Sequence, residues 1–362
     1  MNTLMPPRFG PFLDHSDYPP STNSSREQNS LTISCTRTIS ACGMNHPNPK
    51  LAESFRERVT RFLFAPESDE WLARFRIGLG LQVLLYTFSL RNDWNYLLAA
   101  TNPGLIGRSL SEALLFSESP LVPRLGWVTG LGARVGLDER TALSVVWWCL
   151  AFAGGMLLLG LFSRSSALLA WFVHLCAAKS GGFVTYGVDN FMTIGLFYLI
   201  FCPLADRCSL DWRIRTSLPK SRELLGFWRR VLQLHLCLIY FFSGLTKSLG
   251  SGWWDGSNIW RALISPPFNV VPPEILVRWR YIFPIAGISV CLLEIGYPIL
   301  IWLKKTRLIW LVCILAMHIG IGLAMGMYLF ALIMIILNVA AFGPHLGSEQ
   351  DAGITLQHKE IS

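Results

Sequence analysis

Residues 233–256 read QLHLCLIYFFSGLTKSLGSGWWDG, an apolar run that ends in Lys247 and then in a tryptophan-rich turn. The run is long enough to cross a bilayer. An ammonium near hydrocarbon costs roughly 3 kcal/mol even after its stem snorkels toward water. Stepping back by sevens from Lys247 reaches Tyr240 and Gln233, and Ser243 lies one turn away, so a polar stripe runs down one face of a greasy helix. That face is expected to point into a helix bundle. Two readings of Lys247 stand: a partly dehydrated functional amine, or a helix-end lysine reaching for headgroups beside Trp253 and Trp254, residues typical of the membrane interface.

Working outward, composition supports the membrane reading. Of the 362 residues, 52% are hydrophobic and only 15% charged, too apolar for a water-soluble domain. The net charge of +8 does not mark a nucleic-acid binder, because the Lys and Arg residues flank apolar runs rather than form one patch. The nine cysteines lie mostly inside apolar segments. Neither close pair, Cys35 with Cys42 or Cys202 with Cys208, has zinc or redox spacing, so they read as core residues and no metal site is expected. No phosphate-binding loop, dinucleotide fingerprint, nucleophile elbow or solenoid repeat occurs.

The expected class is all-α, a polytopic transmembrane bundle. Residues 1–48, rich in Ser, Thr, Asn and Pro, read as a disordered tail without a signal peptide, with Met44 as an alternative start. Residues 49–66 place Leu51, Phe55, Val59, Phe62 and Leu63 on one face and Arg and Glu on the other, the pattern of an interfacial helix. The transmembrane domain covers 70–343, with apolar stretches at 71–91, 142–162, 165–178, 190–204, 228–248, 281–303 and 308–343. The last would be on the order of 54 Å as one helix and overshoots a ~30 Å hydrocarbon core. A split near Gly322–Gly326 gives eight spans; an unbroken tilted helix gives seven. Gly322-x-x-x-Gly326 reads as close helix packing. Residues 344–362 form a short tail.

Charge sets the orientation. Arg56, Arg58, Arg61, Arg74 and Arg76 lie at the first span, Arg207, Arg213, Arg215, Lys220, Arg222, Arg229 and Arg230 before the fifth, and Lys304, Lys305 and Arg307 after the sixth. With a cytoplasmic N-terminus all three clusters fall inside; Arg278 and Arg280 are the exceptions. Lys247, His174, Lys179, Asp189 and Asn190 then lie in the outer half, and His235, Glu294 and His318 nearer mid-depth. Between the spans, 92–141 holds a short helix near Ser111–Phe116, and 249–280, with Pro266, Pro267, Pro272 and Pro273, folds back over the bundle.

The pattern Tyr240-Phe241-x-x-Gly244-x-x-Lys247 followed by Trp254-x-Gly256 resembles the signature of the vitamin K-dependent γ-carboxylases, whose bacterial relatives share the horizontally transferred transmembrane (HTTM) domain. Met317-His318 with Gly326-Met327-Tyr328-Leu329-Phe330 resembles their His…Gly-Met-Phe element, and Ser209-Leu210-Asp211 adds weaker support. The resemblance spans about 70–343. It implies a bacterial inner-membrane protein in which Lys247 is the base that deprotonates a reduced, vitamin K-like quinone. In the carboxylases the hydroquinone reacts with O2, and the resulting alkoxide removes a glutamyl γ-proton before CO2 adds.

On this reading Lys247, His318 and Asp189 form the catalytic set, and Tyr240, Ser243, Trp254, Asn190 and Glu294 contact a quinone or other lipid in an outward-facing pocket. Asp189-Asn190 stands where the carboxylases have Asn-His, so that histidine is missing, and Asp189 is free to pair with Lys247 or Lys179. Glu294 reads either as a paired functional carboxylate or as packing polarity. His318 reads as a proton relay or as a histidine bonded to a neighbouring helix, and His235 and His174 as structural contacts. The large lumenal domain that engages the carboxylase substrate has no counterpart after residue 343. HTTM proteins also include relatives of a sporulation-delaying protein B, which implies a second role: a non-enzymatic module that handles a secreted or membrane peptide.

Overall fold

The computed structural model describes residues 55–101, 107–182, 185–203, 206, 208–214 and 221–344. The tails at 1–48 and 345–362, the start of the interfacial helix, Cys35, Cys42, Arg207, Arg215 and Lys220 lie outside them. Among the described residues eight long helices follow the seven apolar stretches, the last of which is divided in two: α2 (Glu70–Ser89), α6 (Glu139–Leu159), α7 (Ser163–Gly181), α8 (Gly187–Phe201), α10 (Arg222–Ser248), α14 (Ile282–Leu300), α15 (Arg307–Met325) and α16 (Tyr328–Phe342). Around them lie α1 (Phe55–Leu63), α3 (Trp94–Leu97), α4 (Arg108–Glu118), α5 (Leu125–Arg134), α9 (Leu210–Ile214), α11 (Ser251–Trp254), α12 (Ser257–Ile264) and α13 (Pro273–Arg278). The described elements are all helical.

Among the described residues three helices, α6, α14 and α15, are long and apolar enough to cross a membrane; α8 and α16 are apolar but 15 residues long. Large apolar side chains cover their outward faces, among them Trp148, Phe152, Leu292, Ile309 and Leu323, each more than half exposed. Exposed apolar side chains in this number belong against lipid or another chain.

Local chemistry sets where the helices begin and end. Asp138 accepts from Thr141 N and opens α6, and Ser221 accepts from Leu224 N and opens α10. Gly160, at φ 72°, closes α6 in the left-handed region. The long apolar run at 308–343 breaks where its length demanded, at Gly326 with φ 69°. Gly322 does pack closely: a Cβ there would lie 2.9 Å from that of Ala331. Gly326→Ala should therefore cost about 1–2 kcal/mol, the penalty of a side chain in the left-handed region. Gly320→Ala, on the same helix with open space beside it, should cost nothing; thermal unfolding in detergent distinguishes the two.

Neighbouring helix ends are tied by buried polar groups. At one end the buried guanidinium of Arg76 makes two bonds of 2.7 and 3.0 Å to the Asp206 carboxylate and donates to the carbonyls of Leu157 and Leu158. This joins the start of α2 to the end of α6. Arg229 donates to the carbonyls of Ala341 and Gly343, joining the start of α10 to the end of α16. Asp211, in the Ser209-Leu210-Asp211 segment, accepts from the backbone N–H groups of Phe162 and Ser163, both at 2.8 Å, and so caps α7. At the opposite end Trp147 donates to Thr87 O, and Gln82 to Leu329 O. The helices thus alternate in direction, and Arg74, Arg76, Arg229, Arg230, Lys304 and Arg307 gather at one end.

The connection at 92–141 holds more helix than its sequence suggested: α4 extends the expected Ser111–Phe116 turn, and α3 and α5 flank it. Arg108 of α4 bonds Leu98 O at the end of α3, Glu112 on its own helix and Glu139 at the start of α6. The segment 249–280 does fold back, as α11 and α12 against α14. Four described cysteines, Cys176, Cys202, Cys237 and Cys291, are buried; Cys208 is exposed, at variance with the core reading, and the described cysteines are free.

Candidate functional site

The site begins with a missing side chain. Gly244 lets α10 and α14 approach so closely that a Cβ there would come within 2.8 Å of both Glu294 Cβ and Ile295 N. The approach carries the Glu294 carboxylate to Lys247, whose Nζ donates to Oε1 at 2.7 Å, to Oε2 at 2.6 Å and to Ser243 Oγ at 2.6 Å. The Trp253 ring lies against the same ammonium, its centroid 5.4 Å from Nζ. The Lys247 side chain is 23% exposed and that of Glu294 6%. Lys247 therefore ends in protein rather than among headgroups.

Glu294 lies 12 residues past Ile282, roughly 18 Å along α14, so α14 continues well beyond the end of α10. The backbone of Trp253 packs on Gly287, and Gly256 on Phe283, covering that overhang. The amine at the end of α10 is thus level with Glu294, about two-thirds of the way along α14.

Below it the same face of α10 carries Tyr240. Its hydroxyl lies 2.8 Å from His318 Nε2 and accepts from Asn338 Nδ2 at 2.8 Å. Asn338 Oδ1 in turn accepts from the Tyr297 hydroxyl at 2.7 Å, and the two tyrosine rings stand 4.2 Å apart. All four residues are buried, and they come from four helices, α10, α14, α15 and α16. With Asn338 donating to the Tyr240 oxygen, we assign the tyrosine proton to the bond with His318 Nε2 and the histidine proton to Nδ1. Nδ1 is buried and has no partner among the described residues. Tyr240→Phe should cost about 1–3 kcal/mol, because it strands an amide donor and an imidazole acceptor away from water; thermal unfolding with Tyr297→Phe as comparison would measure it.

Asp189 sits in a different cluster. It accepts from the Tyr86 hydroxyl at 2.7 Å and from Tyr186 N at 2.9 Å, and its carbonyl lies 3.2 Å from His174 Nε2. As the third residue of α8 it closes a capping box and faces α2 and α7. It pairs with neither Lys247 nor Lys179; the carboxylate that meets Lys247 is Glu294. Asn190 is exposed and, with Asp189, Lys179 and Thr193, lines a cavity of about 420 Å³. Trp254 is exposed and donates to Ser248 O at 2.8 Å, while its neighbour Trp253 is the one beside the amine. His235 bonds the Tyr198 hydroxyl at 2.6 Å and Gln233 donates to Ala341 O at 2.6 Å, both holding α10 to adjacent helices.

The pocket expected around Lys247 is not among the four main cavities of the described residues, none of which Lys247 lines. Two participants went unnoticed in the sequence. Asn338 had a signal, a lone amide in an apolar helix; Tyr297, one aromatic among many, had none. Compared with protein families, with curated proteins and with solved structures, the chain matches none.

Proposed function

We propose that the chain is an eight-span HTTM-type protein of a bacterial inner membrane, its N-terminus cytoplasmic, and that the Lys247–Glu294 pair accepts a proton from a reduced quinone or a similar lipid hydroxyl. The observation behind this reading is the pair itself: an amine and a carboxylate at 2.6–2.7 Å, largely removed from water, where opposite charges are costly to keep apart and a proton moves readily between them. Moving one proton from Nζ to Glu294 leaves a neutral amine and a carboxylic acid. The amine then takes the proton of an incoming hydroxyl: the O–H bond breaks, the N–H bond forms, and the displaced proton stays on Glu294.

Ser243 and the Trp253 face hold Nζ in place through both states. Tyr240, His318, Asn338 and Tyr297 form a polar layer beneath, in which His318 Nδ1 offers an unpaired donor to a substrate oxygen. This donor set suits a phenol, and a reduced quinone would bring an acidic phenol and two electrons for O2. A density map of the detergent-purified protein tests the reading: an elongated quinone or lipid beside Lys247 is expected, and continuous protein density with no such molecule argues against it.

A second reading, a non-enzymatic module for peptide maturation or partner binding of the sporulation-delaying protein B type, draws on one observation. The ion pair satisfies both members and sits on the tightest seam between α10 and α14, which suits a structural staple equally well.

A further inference from the structure

At the end of the bundle opposite Lys247 lies a cavity of about 280 Å³ whose wall brings together Arg229 and Arg230 of α10, Lys304 and Arg307 of the α14–α15 turn, and a single carboxylate, Glu67. We propose that it binds the phosphodiester headgroup of an anionic phospholipid. The proposal rests on the membrane reading of the helices and is independent of Lys247 acting as a base.

Two of the four cations are fixed by the fold. Arg229 is held by Ala341 O, Gly343 O and the Glu67 carboxylate. Arg230 bonds Phe62 O and Gln233 Oε1, with its guanidinium over the rings of Phe62 and Trp302. They form a rigid positive floor. The other two are exposed at the mouth: Arg307 uses Nε and Nη2 on the carbonyls of Ile301 and Trp302, and Lys304 is exposed. Four cations against one carboxylate leave an excess of positive charge that an anion compensates, and each such cation near a membrane surface attracts an anionic lipid.

The lipid source is favoured over free phosphate by what adjoins the cations. The cavity wall continues onto Leu308 and Leu311 of α15, a helix long and apolar enough to cross a membrane, and Leu308 is 62% exposed on its outer face. A phosphodiester seated among Arg307, Lys304 and Arg230 would lay its acyl chains along that face. The volume is at the small end of ligand sites and suits a headgroup, with the chains left outside. The position, among the basic residues that gather at one helix end, is where such lipids concentrate.

Native mass spectrometry of the full chain in detergent, titrated with phosphatidylglycerol or phosphatidylcholine, tests the assignment. Phosphatidylglycerol should bind in preference. Lys304→Gln should weaken it about fivefold and Lys304→Gln/Arg307→Gln about 25-fold, whereas Lys305→Gln, next in the turn but outside the cavity, should change it less than about twofold. The single Lys304 variant keeps the test decisive if loss of the Arg307 bonds disturbs folding. Equal binding of phosphatidylcholine, an equal loss with Lys305→Gln, or displacement by inorganic phosphate at the lipid's own concentration would each overturn the proposal.

Discussion

Lys247→Ala is expected to lower turnover of a reduced isoprenoid naphthoquinone by about 10²–10⁴-fold, the usual contribution of a positioned general base, while the protein still inserts and folds. Lys247→Arg should be as inactive. A guanidinium reaches Glu294 and keeps the ion pair, yet it does not give up its proton at any ordinary pH. The two substitutions therefore separate the roles that one side chain combines: charge on the α10–α14 seam, which Arg preserves, and a proton-accepting nitrogen, which it does not. Oxidation of the quinol followed in air-saturated detergent solution is the readout. Activity retained in Lys247→Arg would mean that the amine is a staple, and the peptide-handling reading would gain what the enzyme reading lost.

The second large effect is on stability. Glu294→Ala removes the carboxylate that pairs with Lys247 Nζ and strands an ammonium beneath the covering helices. Breaking a fully buried pair costs about 3–5 kcal/mol; with the lysine 23% exposed, about 2–3 kcal/mol is expected here. Adding Lys247→Met to Glu294→Ala should restore most of the loss, because no unpaired charge remains. The double-mutant cycle, read by thermal unfolding in one detergent, should thus give a coupling of about 2 kcal/mol. A coupling near zero would mean that water reaches the pair freely.

How far the sequence carries to the structure depends on the kind of information involved. The long helices are readable because an apolar run must end where its capping chemistry changes, and the break at Gly326 because a run of that length exceeds a bilayer. The stripe Gln233–Tyr240–Lys247 is readable because helical periodicity is a property of one segment, and Gln233 and Tyr240 are indeed buried on one face. Partnership between segments is another matter. Asp189 and Glu294 are both carboxylates in apolar surroundings, and nothing local distinguishes them. What selects Glu294 is the register of α14 against α10, set by the contact at Gly244 and by the overhang of α14. The choice of Trp253 over Trp254 turns on roughly 100° of helical rotation, within the uncertainty of where a four-residue helix begins. Asp211, read in the sequence only as part of a family resemblance, caps the start of α7, a role visible only once 162–163 and 211 are brought together.

The central claim is that Lys247 and Glu294 exchange a proton when a substrate hydroxyl arrives. Infrared difference spectroscopy of the purified protein, with and without the reduced naphthoquinone, reads this directly. A protonated-carboxyl band should appear on addition, vanish in Glu294→Gln and be absent in Lys247→Arg. A carboxylate spectrum that stays unchanged on addition, with the quinol still bound, would contradict it.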